Sequence, residues 1–72
     1  MRRGETKETV KIDGATTRAE LARRQIPQYR AAVKIGTDPA KFSRALNGKG
    51  GLSRAACDRL CDLIDTDVRE EP

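Results

Sequence analysis

Seventy-two residues with a net charge of +4 make one small basic domain, near the lower limit for a core built without disulfides or metal. Hydrophobic content is 36% but aromatic content only 3%, so the core must be aliphatic and helical, and the absence of histidine removes the commonest general base and metal ligand. No apolar run approaches the roughly 20 residues of a membrane span and no secretory leader is read after Met1, so a soluble cytoplasmic protein is expected.

Residues 1–15 are polar and carry no helical period, so they are expected to form a flexible N-terminal arm. Thr9-Val10-Lys11-Ile12 alternates like a short strand, but a lone strand needs a partner and none lies nearby in sequence. A dimer-forming strand is the alternative use for it. Thr17-Arg18-Ala19-Glu20 has the spacing of a capping box, in which threonine and glutamate side chains satisfy each other's open amides. It predicts a domain beginning at residue 16 and a first helix through about Gln25, with Leu21 and Ala22 inward. Pro27 disfavours helical geometry at Ile26 and ends that helix.

Gln28 to Asn47 is the stretch around which the chain is organised. An apolar-spaced run ends at Gly36, which takes the left-handed conformation at a helix end without a Cβ penalty. Asp38 then caps a second run, and Pro39 suits its first helical position, where no amide is needed. Ala32 is small enough for two helix axes to approach closely, and Phe42 plugs the angle between them. With Phe42 inward, a step of about 100° per residue puts Ala45 and Leu46 beside it and Ala40, Arg44 and Asn47 opposite. Two short helices joined by three residues form a helix-turn-helix, whose second helix can lie in the major groove of DNA.

Beyond Asn47, Gly48-Lys49-Gly50-Gly51 makes a loop and not a phosphate-binding P-loop, since no Lys-Ser/Thr follows at the required spacing. Leu52 is placed to staple onto Cys57 while Ser53 caps a further helix with Ala56, Cys57, Leu60, Leu63 and Ile64 as its core stripe. Asp58, Asp62 and Asp65 form a separate acidic face. Domain 16–66 ends there, and a tail over 67–72 is expected to fray from Val68. Cys57 and Cys61 stand one turn apart with no further ligand in view, so they are read as small buried apolar residues rather than a metal site.

Charge is segregated along the chain. Residues 1–17 carry net +1, residues 18–49 net +6, and residues 50–72 net −3. A polyanion approaching one side accounts for that asymmetry. With such a partner, Arg2 and Arg3 of the arm become candidates to touch phosphate or the minor groove.

Gln28, Ala32, Gly36 and Phe42 fall at Gln-x3-Ala-x3-Gly-x5-apolar, and Phe42-Ser43-Arg44-Ala45-Leu46-Asn47-Gly48-Lys49 follows. On these residues the chain resembles the phage lambda-repressor and Cro-like helix-turn-helix family, over roughly residues 17 to 66. Phe42 to Lys49 looks like that family's recognition-helix end, and Leu52-Ser53 like the start of its next helix. The resemblance implies an all-α fold, a small four- to five-helix bundle with a flexible or extended N-terminal arm. It implies a phage- or repressor-type transcriptional regulator that binds double-stranded DNA, often as a symmetric homodimer on a two-fold operator. A nucleoid-associated location goes with that reading, and no cofactor, metal, membrane or small-molecule substrate is implied.

Arg44, opposite Phe42, is the residue expected to make a bidentate bond to guanine. Ala40, Lys41 and Ser43 accompany it on the proposed reading helix, Ser43 with a short hydrogen bond and Ala40 with a methyl contact. Gln28 matches the family position that touches phosphate and braces that helix, while Asn47, Lys49 and the Gly48 amide look like phosphate contacts beyond it. Two departures stand out. Pro39 and Ala40 replace the polar side chains often found at the front of the reading helix, and Thr37 stands where an apolar residue is usual. No nucleophile, base and cleft come together, so an enzyme is not expected. The rival readings are a protein-interaction module, such as an antitoxin or accessory subunit working through the acidic helix 58–65, and a non-specific nucleic-acid binder acting by charge alone.

Overall fold

Residues 9–70 are described by the computed structural model. In chain order they form β1 (Thr9–Val10), α1 (Gly14–Arg23), α2 (Gln28–Ile35), α3 (Pro39–Leu46), β2 (Leu52–Ser53) and α4 (Arg54–Ile64). The fold is therefore mostly helical, with four helices as expected, but it also holds a two-stranded antiparallel sheet. Among the described residues no helix is long and apolar enough to cross a membrane.

Local chemistry sets the helix starts. Asp38 accepts from the Ala40 amide at 2.9 Å with Pro39 in the first turn, and Ser53 accepts from the Ala56 amide at 3.2 Å, both as the sequence predicts. The first helix differs. It begins at Gly14, capped by Asp13, whose carboxylate accepts from the Thr16 amide at 3.1 Å and the Thr16 hydroxyl at 2.7 Å. A carboxylate taking two bonds is a better cap than the predicted threonine, so the helix gains a turn. Thr17 then lies inside it, fully buried, with its hydroxyl donating to the Asp13 carbonyl at 2.8 Å. Glu20, no longer part of a capping box, pairs with Arg23 at 2.7 Å and with Arg24. The buried stripe of α1 is Thr17 and Leu21, one turn apart, which leaves the neighbouring Ala22 exposed rather than inward.

All four helices end alike, with a left-handed residue followed by an amide that reaches back five positions. Gly36 and Gly48 fill that place in α2 and α3, with φ of 79° and 75°. Gln25 and Asp65 fill it after α1 and α4, with φ of 58° and 54°. The returning bonds are Ile26 to Leu21 at 2.9 Å, Thr37 to Ala32 at 2.9 Å, Lys49 to Arg44 at 2.9 Å and Thr66 to Cys61 at 3.1 Å. This ending closes α1 at Arg23, before the expected Gln25.

Phe42, Ile35, Leu52, Leu60, Ile64 and Val68 are the large fully buried side chains, and Ala31 and Ala32 give α2 its close approach to the rest. The strand β1 pairs with β2 in the register Thr9 to Ser53 and Val10 to Leu52. On its other side the same segment meets the C-terminal residues: Ile12 bridges Arg69, the Asp13 amide donates to Val68 and the Glu70 amide to Lys11, each at 2.8 Å. Ile12 and Val68 are 4% and 2% exposed. Burying each contributes about 1.5–3 kcal/mol, enough to hold short terminal segments in place. The expected arm and tail are corrected accordingly. Residues 9–15 and 67–70 belong to the packed fold, and the boundary expected between residues 15 and 16 falls inside α1. Arg2 and Arg3, the residues expected to carry arm contacts, lie outside the described residues.

Candidate nucleic-acid interface

Three side chains anchor α3. Phe42, Ala45 and Leu46 are buried, which fixes the rotation of the helix about its own axis. The opposite face then points outward: Ala40, Lys41 and Arg44 are exposed and Ser43 is half-buried. Asn47, Gly48 and Lys49 are exposed just beyond the helix end, and Gln28 is exposed at the start of α2. The three-residue connection Gly36-Thr37-Asp38 is short enough to hold α2 and α3 in one fixed relation, with Ala32 and Phe42 both fully buried between them.

Lys41, Arg44 and Lys49 line an open groove together with Gly50, Gly51, Ser53 and Thr9. Among the described residues no carboxylate pairs with any of these three cations. Among the described residues Asp38 is the one acid on the groove, and its carboxylate accepts from the Ala40 amide at the helix start. Three cations against one carboxylate leave the groove net positive, which attracts an anion and orients its approach. The acids of α4 lie elsewhere: Asp58, Asp62 and Asp65 are exposed on the face opposite its buried stripe, with Asp58 held by Arg69.

Two of the expected contacts change character. The Gly48 amide donates to the Ala45 carbonyl at 3.2 Å, because the helix end needs it there, so it is not an open donor for phosphate. The Oδ1 of Asn47 accepts from the guanidinium of Arg18 on α1, which leaves the Nδ2 donors of that amide for another partner. Arg18 was not among the expected site residues. Nothing local in the sequence joins it to Asn47, 29 positions away.

Neither cysteine belongs to this surface. Cys57 is buried, and burial, with Cys61 beside it, pushes its thiol up to about 11. Such a thiol is neutral and unreactive at physiological pH. Among the described residues no group of three or more metal-ligating side chains comes together. No family model, curated protein or solved structure matches the chain.

Proposed function

We propose that this chain binds double-stranded DNA sequence-specifically, as a transcriptional regulator of the phage or repressor type, with α3 in the major groove. The observation that carries the reading is the outward face of α3: an exposed Arg44 flanked by Lys41, with Lys49 beyond, on a helix locked in rotation by Phe42, Ala45 and Leu46. A helix held this way presents its donors at a fixed angle, which base reading requires and charge attraction alone does not. The pair α2 and α3 acts as a helix-turn-helix of the lambda-repressor-like type, and the small sheet ties Thr9–Val10 to that core. Arg44 reads guanine through paired hydrogen bonds, Ser43 and Ala40 contribute a short bond and a methyl contact, and Gln28, Asn47 and Lys49 hold backbone phosphate. Pro39 has no amide to offer, so the front of the helix makes fewer direct contacts and Arg44 carries more of the discrimination. Binding is as a homodimer on a two-fold operator, at the nucleoid, and involves no cofactor.

Selection of bound sites from a random duplex pool, followed by competition against random DNA, tests this. A recovered consensus with preference over random duplex supports the reading. Equal binding to every sequence leaves a charge-driven binder, and no binding at low salt leaves a protein-interaction module. With about four phosphates neutralised, the log–log dependence of affinity on salt has a slope near −4, whereas a slope near zero removes the electrostatic argument.

A further inference from the structure

Two helices, not one, build the surface at the end of α3. A Cβ at Gly14, the first residue of α1, would collide with the carbonyl oxygen of Leu46, so the α1 backbone lies directly against the last turn of α3. That contact brings Arg18, one turn further along α1, to Asn47, where its guanidinium donates to the amide oxygen. Arg18 is exposed and has no carboxylate partner among the described residues, since the neighbouring Glu20 holds Arg23 and Arg24. The bond also orients the amide. With Oδ1 turned to Arg18, what Asn47 offers other partners is its Nδ2 donors, and Arg18 keeps its remaining N–H groups. The pair therefore presents donors only, with a full positive charge and a rigid fork. Such a set of donors bonds most strongly to an oxyanion, and its fork matches a phosphate.

We propose that Arg18 and Asn47 form one clamp for a backbone phosphate of duplex DNA. Arg18 supplies the charge, and Asn47 acts both as a second donor and as the positioning residue that holds the guanidinium. The clamp rests on the DNA-binding reading above and adds to it a contact from α1, outside the helix-turn-helix. It also explains why α1 carries a glycine at its first position: a side chain there would push Arg18 away from Asn47.

Fluorescence-anisotropy titrations of the full chain against its best selected duplex and a random duplex, over a range of salt, test the clamp. Arg18→Ala is expected to weaken both duplexes alike, by roughly 5- to 10-fold, and to make the salt slope shallower by about 1. Arg18→Lys is expected to keep the slope but to recover only part of the affinity, because an ammonium lacks the fork. Asn47→Ala is expected to weaken binding in the wild-type background and to cost less once Arg18 is alanine, when only its own donor is lost, the sign of a coupled pair. Arg44→Ala, measured alongside, separates the two levels of the argument. If Arg44→Ala loses site preference while Arg18→Ala binds as wild type with an unchanged slope, the clamp is overturned and the reading of α3 stands. If the wild-type chain binds no duplex at low salt, both fall. If Arg18→Ala lowers only the melting temperature, with affinity of the folded protein unchanged, the bond is a tie between helices and the clamp is overturned.

Discussion

The amide of Glu70 donates to the carbonyl of Lys11 at 2.8 Å, so the two ends of the described chain are bound to each other beside the Ile12–Arg69 bridge. Ile12 and Val68, next to these residues, are both buried. Removing residues 1–13 therefore takes away β1, a core side chain and the cap of α1 together. The expected result is loss of the cooperative thermal transition. Ile12→Ala alone should lower stability by about 2–5 kcal/mol in urea titration, a large share of what a domain this small possesses. A truncated chain that melts like the full one would restore the flexible-arm view.

Gly14 offers a test in which two physical effects have opposite signs. In an isolated helix, glycine to alanine is favourable by about 1 kcal/mol. Here the new Cβ meets the Leu46 backbone, which cannot move aside as a flexible side chain would. Gly14→Ala should therefore destabilise, by about 1–3 kcal/mol or more. A rise in melting temperature would mean that α1 and α3 are not in direct backbone contact.

Asp13 links stability to acid. The side-chain hydrogen bond from Thr16, then the Thr16 amide, hold its carboxyl below the ordinary aspartate range. A lowered folded-state pKa contributes stability that is fully present above the unfolded value near 3.9 and is lost as pH falls through the folded one. Glu20 acts in the same direction through Arg23 and Arg24. Asp13→Asn keeps an acceptor for the helix start but not the charge. Its melting temperature should fall less steeply than the wild type's below about pH 4, while Asp13→Ala should be less stable at every pH.

Gln25 and Asp65 sit in the left-handed region at the ends of α1 and α4. That geometry costs a side chain about 1–2 kcal/mol, partly offset in glycine by its larger entropy loss on folding. Gln25→Gly should accordingly raise stability by roughly 0.5–1 kcal/mol. Asp65→Gly should gain less, since aspartate tolerates this conformation better than glutamine. Differential scanning calorimetry of the two variants decides the order.

What was legible in the sequence was whatever is decided within a few residues. Asp38-Pro39 and Ser53 start their helices where predicted, Gly36 ends α2, and the rotation of α3 follows from Phe42 and its neighbours. Misreadings arose wherever two local signals competed or the partner lay far off. Thr17 fits a capping box, yet Asp13 four residues earlier is the stronger acceptor, and a spacing rule does not rank the two. Thr9-Val10 alternates like a strand, but its partner Leu52-Ser53 lies across the whole helical core, beyond the range of any periodicity argument. The bond between Arg18 and Asn47 depends on how α1 crosses α3, a tertiary fact marked in the sequence only by the bare backbone of Gly14.

Arg44 is where the proposed function is most exposed to test. It lies on the outward face of α3, opposite Phe42, and makes no ion pair among the described residues. Arg44→Ala should therefore leave the melting temperature nearly unchanged, since exposed substitutions shift stability by about 0.5 kcal/mol or less. If the guanidinium reads a guanine through two hydrogen bonds, affinity for the best site should fall by roughly 1–3 kcal/mol and discrimination at that single base should relax. A phosphate contact behaves otherwise, weakening the best site and random duplex about equally. Titrating the variant against the best site and against each base substitution at the read position separates these cases. Full affinity for all of them, with the fold intact, would remove α3 from the groove.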